Sequence, residues 1–183
     1  FKALRAAGAV AFSNDGLPIL NEDVFKAALQ GGELIISHCE DETEEVGWQI
    51  EVFKDVLKEG GKPRLHFAHI SKKASLSLIR EAKPDCPNLT AETCPHYFTF
   101  TKDDLTETGV FKMNPPLGRL EDKKAVIEAV LDGTIDVIST DHAPHLLEEK
   151  NVPYEKAHGG VPFVQHSLSM MLHYVKEGRV TLE

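Results

Sequence analysis

The chain has 183 residues, 42% of them hydrophobic and 27% charged, a balance that suits one folded unit and excludes collagenous, low-complexity and disordered chains. Twenty Lys and Arg against 29 Asp and Glu leave a formal charge of −9, so no basic surface is expected to meet nucleic acid or an anionic membrane. The apolar runs are far shorter than the roughly 20 residues of a spanning helix and no signal peptide opens the sequence, so a soluble, cytoplasmic protein is expected.

In chain order, the first short apolar run, residues 9–12, predicts a strand leading into Asp15. The surrounding Ser13-Asn14-Asp15-Gly16 is also an ordinary turn sequence. A helix follows over 22–30 with Asn21 as its cap, then a strand over 34–37 that hands over to His38 and Glu40. The acidic run 40–45 reads as a solvated helix start, favoured by the helix dipole, and opens a helix over 44–59 that Gly60-Gly61 stops. Residues 65–70 predict a strand carrying His69, and 72–83 a helix capped by Ser71 and ended by Pro84. A strand over 89–93 leads towards His96, and a helix over 121–131 ends at Gly133. The strand 135–139 delivers Asp141, His142 and His145, and a last helix covers 164–176.

Most strand starts lie roughly 25 to 30 residues apart, and the strands are nearly continuously apolar, as in a parallel sheet covered on both faces. A doubly wound sheet and a barrel both fit this rhythm. No Gly-x-Gly-x-x-Gly or Walker A sequence follows any strand, which removes the main support for a nucleotide-binding open sheet. A (β/α)8 barrel needs about 250 residues, so five strands would be part of one. The sequence starts at Phe1 and stops at the predicted start of a helix, so residues 1–183 are expected to be a single partial domain truncated at both ends.

Strand C-termini of a parallel α/β fold open on one face, so these strand-end side chains should converge. Imidazoles and carboxylates without cysteine suit zinc, manganese or iron, and an open His/Asp shell is the catalytic rather than the structural zinc pattern. His38, His69 and Asp141 are the leading ligands. His66, His158, His166 and His173 are assigned to surface or packing roles. Cys39, Cys86 and Cys94 predict neither a disulfide framework nor a Cys-x-x-Cys site, and a thiol nucleophile lacks a visible base.

Several segments together resemble the class I dihydroorotases of the amidohydrolase superfamily: Ile36-Ser-His-Cys-Glu-Asp41, His69-Ile-Ser-Lys-Lys73, Thr90-Ala-Glu-Thr-Cys-Pro-His96, Phe111-Lys-Met-Asn-Pro-Pro-Leu117 and Thr140-Asp-His-Ala-Pro-His145. The resemblance implies a (β/α)8 TIM barrel of the metal-dependent hydrolase type, with only the later strands present here. It implies one or two Zn2+ ions and the hydrolysis, or reverse cyclisation of carbamoyl aspartate, of the cyclic amide of dihydroorotate in pyrimidine biosynthesis. Carried over by position, Asp15 resembles a carboxylate bridging two metals, His38 and His69 ligands of the second metal, and Asp141 both a ligand and the catalytic proton shuttle. Asn114 and His145 resemble substrate contacts, and Gly160 the glycine lying against the ring. A homodimer is among the assemblies this implies. The family's His-x-His strand has no counterpart in these residues, so the chain alone is expected to be inactive. The His38–His69 interval is shorter than the family's, Phe163 stands where a glycine is common, and Leu117-Gly-Arg119 departs from the usual Leu-Arg. Alternatives are a hydantoinase-like or allantoinase-like cyclic amidohydrolase, or an inactive structural relative.

Overall fold

A computed structural model describes residues 1–182. In chain order it runs α1 (Lys2–Ala6), β1 (Phe12–Ser13), α2 (Glu22–Gln30), β2 (Leu34–Ser37), α3 (Glu42–Lys58), β3 (Arg64–Phe67), α4 (Lys73–Ala82), β4 (Leu89–Thr93), α5 (Pro95–Thr99), α6 (Leu120–Leu131), β5 (Val137–Ile138), α7 (Leu147–Lys150) and α8 (Ser167–Lys176). All five strands are parallel, and each pairs with its neighbours in sequence, in the order β1-β2-β3-β4-β5. A doubly wound sheet reverses its order at a switch point; this one does not, and it is a sector of a singly wound barrel. The helices follow the same order, α2 against α3, α3 against α4 and α4 against α6, as one outer layer.

The core lies between that layer and the sheet. Leu29, Val46, Phe53, Val56, Leu65, Phe67, Leu76, Ile79, Ala91, Val126 and Ala129 are fully buried there. Each large side chain of this set contributes about 1.5–3 kcal/mol of burial. The alternate strand residues Leu34, Ile36, His66, Thr90 and Glu92 line the inner face and are only half-buried, so the expectation of apolar strands covered on both faces is corrected. The strands alternate, with polar groups pointing inward. His66 is accordingly neither a surface nor an apolar packing residue: its Nδ1 lies 2.8 Å from Thr90 Oγ1 and its Nε2 3.2 Å from Glu92.

The helix predicted over 22–30 forms as expected, and Asn21 caps it by accepting from Val24 N at 3.1 Å. Two other expectations fail together. Ser71 is not the cap of α4; the cap position is Lys72, and the 40–45 run is not a solvated start, because Glu42 and Glu45 are buried. The Glu42 carboxylate accepts from Ser71 N, Ser71 Oγ and Lys72 N at 3.1, 2.6 and 2.8 Å, so α3 supplies the negative charge and acceptor that the start of α4 requires. Glu45 does the same locally, accepting from Glu40 N and Asp41 N.

Sheet hydrogen bonding continues past the strand ends. Ala68 N donates to Ser37 O, Ile70 N to Glu92 O and Ser139 N to Thr93 O, which carries the backbone rigidly into the segments holding His69 and Asp141. No helix among the described residues is long and apolar enough to cross a membrane.

Candidate metal centre

The end of β1 meets the end of β2 through Asn14. Its side-chain oxygen accepts from His38 N at 2.8 Å, and its amide donates to His38 O at 3.1 Å and to Leu17 O at 2.8 Å. The turn around Asp15 therefore also fixes the backbone of a predicted ligand. The exposed Asp15 carboxylate reaches to 3.8 Å from His38 Nδ1.

His38 Nδ1 faces His69 Nε2 at 2.8 Å. Burial, and then the charge of His38, pull His69 down to about 4, so both rings cannot be protonated at neutral pH and at least one offers a lone pair to this point. The other nitrogen of His69, Nδ1, is buried without a partner. A cavity of about 90 Å³ opens beside the pair, and Asp15, His38, Glu40, His69 and Asn114 are among its lining residues.

Only two non-glycine residues among those described have positive φ, His69 at 39° and Asp141 at 45°. Such backbone costs of order 1–3 kcal/mol and persists where surrounding structure holds a side chain in a required direction. Both are predicted ligands at strand ends. Desolvation raises Asp141 above the ordinary carboxylate range; the charge of His38 opposes this, and those of Asp15 and Glu92 add to it. Glu92 is pushed up by burial but held below its usual value by His66 and Ser139, and by the charges of His66 and His69.

Of the three predicted substrate contacts, Asn114 lines this cavity and the other two lie in loops beside Asn114. Gly159 adjoins Asn114, where a Cβ on the glycine would make an ordinary contact of 3.6 Å with the Asn114 Cβ. Gly160 N donates to Lys112 O at 3.0 Å; its φ is 131°, and a Cβ there would fall 2.5 Å from Ala143 O, so glycine alone fits. His145 Nε2 lies 3.1 Å from Gly159 O, and its ring stacks on His158 at 5.1 Å.

Sequence reasoning missed Lys150, which organises these loops. Its buried ammonium donates to Lys112 O, His158 O and Gly160 O at 2.8, 2.8 and 2.9 Å. It also missed a cluster in which Cys94, His96 and Asp141 each place a ligand atom within 4.8 Å of the other two. Burial pushes the Cys39 thiol up to about 12 and the Cys94 thiol higher still, which removes both as nucleophiles at neutral pH.

The donors fit a divalent transition metal. Two imidazoles share one point, carboxylates flank it, and an otherwise orphaned buried nitrogen and strained backbone accompany them.

No protein-family model matches the chain. It is 37% identical to a dihydroorotase of Syntrophus aciditrophicus (strain SB), over 209 aligned positions that take in all of this chain and 49% of that protein. It is 40% identical to a dihydroorotase of Geobacter metallireducens, over 98% of this chain and 49% of the relative. More aligned positions than this chain has residues means that the relatives carry stretches with no counterpart here. Among solved structures, a D-hydantoinase superposes with a TM-score of 0.82 at 20% identity, covering 99% of this chain and 49% of the other. A Saccharomyces cerevisiae dihydroorotase in complex with 5-fluoroorotic acid superposes with a TM-score of 0.77 at 15% identity, covering 98% and 58%. The chain belongs to the dihydroorotase family of amidohydrolase barrels and spans about half the length of the curated relatives it matches.

Proposed function

We propose that this chain is the ligand-bearing sector of a zinc-dependent cyclic amidohydrolase that opens, and reversibly closes, the cyclic amide of dihydroorotate in pyrimidine biosynthesis. The observation that carries the proposal is the meeting of His38 and His69 at 2.8 Å, with Asp15 beside them and strained backbone at His69 and Asp141.

In this reading Asp15, His38, His69 and Asp141 would hold the metal, and zinc bound there would supply Lewis acidity to a water and to the scissile carbonyl. Asp141 accepts the proton of the attacking water and delivers it to the departing amide nitrogen. Asn114 and His145 donate to the ring and the substrate carboxylate, while backbone groups near Gly160 pair with the ring amide. The loops bearing these three residues already pack on one another, which lowers the ordering needed when substrate enters.

No His-x-His occurs in these residues, which span about half the length of the curated relatives, so the activity is assigned to the full-length protein. A cytoplasmic setting is part of the proposal and is supported by three buried free thiols. A homodimer is the assembly expected and is read directly by light scattering.

The test offers the full-length protein dihydroorotate, hydantoin, dihydrouracil and allantoin, each with and without a chelator. Chelator-sensitive turnover of dihydroorotate alone is expected. Preference for another ring would overturn the substrate, and absence of turnover with zinc bound would overturn the activity.

A further inference from the structure

The last turn of the sheet carries a second group of donors that the hydrolytic reading does not use. Cys94 and His96 flank Pro95 at the start of α5 and are both completely buried. With Asp141 they place a sulfur, a ring nitrogen and a carboxylate oxygen within 4.8 Å of one another.

His96 makes this more than a coincidence of packing. Neither of its ring nitrogens has a hydrogen-bond partner, although its ring is held in place by the edges and faces of Tyr97 and Phe163, with centroids 4.3 and 5.2 Å away. A buried imidazole carries one N–H and one lone pair, and leaving both unpaired away from water opposes folding. Hydrophobic packing alone would favour an apolar ring at this position. An imidazole whose unpartnered nitrogen lies within 4.8 Å of a thiol sulfur and a carboxylate oxygen is an arrangement that a cation completes.

We infer that Cys94, His96 and Asp141 form a seat for a thiophilic divalent cation such as zinc, distinct from the seat offered by Asp15, His38 and His69 and joined to it through Asp141. Three protein donors match the ligand count of catalytic rather than of closed four-ligand structural sites. On binding, the Cys94 thiol loses its proton to solvent and its sulfur bonds to the cation, so charge is conserved by the proton released. Burial opposes the free thiolate, but an adjacent dication reverses that balance. Ser139 Oγ, 3.2 Å from Cys94 Sγ, can donate to the resulting thiolate. Apart from the shared carboxylate of Asp141, the seat stands independently of the proposed substrate.

The experiment is X-ray absorption at the zinc edge of the full-length protein at saturating zinc, together with cobalt substitution. One sulfur scatterer at about 2.3 Å is expected, with a thiolate-to-cobalt charge-transfer band in the near ultraviolet. Cys94→Ser should lose both signals and Cys39→Ser and Cys86→Ser should keep them, while His96→Gln should weaken zinc binding at least tenfold. Purely nitrogen and oxygen ligation in the folded, zinc-saturated wild type overturns the inference without recourse to any variant. A sulfur signal that survives Cys94→Ser does so too. Chelator-sensitive turnover with no sulfur ligand would leave the hydrolase reading standing and remove this seat; a sulfur ligand without turnover would do the reverse.

Discussion

Asn14 holds both backbone polar groups of His38, accepting from its N–H at 2.8 Å and donating to its carbonyl at 3.1 Å. A ligand side chain can aim no better than the backbone beneath it. Groups that orient metal ligands typically account for 10- to 100-fold in affinity. Asn14→Ala should weaken zinc binding by about that factor, measured by competition with a chromophoric chelator. Asn14→Asp keeps the acceptor and loses the donor, and should fall between the two. Equal affinity in all three proteins would show that His38 is held without this clamp.

The convergence of the strand ends was legible in the sequence because a parallel α/β chain brings all strand C-termini to one face, so position along the chain sufficed to bring Asp15, His38 and His69 to one cavity. Helix α2 was legible because its cap and its apolar period agree. The groups missed share a different property. Glu42 serves backbone donors 29 and 30 residues away, and Lys150 serves carbonyls in two loops. Periodicity reports which face of an element is apolar and carries no signal for a polar group whose partners lie in another loop.

Glu42 should therefore respond to substitution like a core residue. Glu42→Ala leaves the buried donors of Ser71 and Lys72 unpaired, at about 1–3 kcal/mol each, and should lower stability by at least about 2 kcal/mol in urea titrations. Desolvation raises its carboxyl above the usual value, against the hydrogen bonds from Ser71, Ser75 and Lys72. The folded state therefore binds this proton more tightly than the unfolded chain does. Its contribution is greatest below the unfolded carboxyl pKa and declines as pH rises through the folded one. Glu42→Gln should remove that decline, and an unchanged difference between the two proteins across the acid range would contradict the shift.

Lys150 tests whether the substrate loops are organised from beneath. Lys150→Met keeps the stem and deletes the ammonium, leaving the carbonyls of Lys112, His158 and Gly160 without their shared donor. KM for dihydroorotate should rise roughly tenfold, in line with about 1.4 kcal/mol of lost positioning, while zinc content stays constant. A changed zinc content with KM intact would place Lys150 in service of the metal instead.

Asn114 stands on the cavity wall but contributes no charge. Asn114→Ala should raise KM or lower kcat/KM while leaving bound zinc unchanged, because the amide is assigned to the ring. Loss of zinc on this substitution would make it part of the metal shell.

Asp141 is the residue on which the two proposed seats and the proton transfer all depend. Asp141→Asn retains volume and one possible ligand oxygen but cannot carry the proton between water and leaving nitrogen. General acid–base transfer contributes about 10²–10⁴-fold, so kcat should fall by at least about 100-fold even in protein reloaded with zinc. The strained backbone at φ 45° separates this chemical effect from a conformational one. Asn tolerates the left-handed region well, so Asp141→Asn should fold with unchanged thermal stability, whereas Asp141→Val should lose both activity and stability. Turnover within tenfold of wild type in Asp141→Asn would remove the proton-carrying role and leave Asp141 as a ligand only.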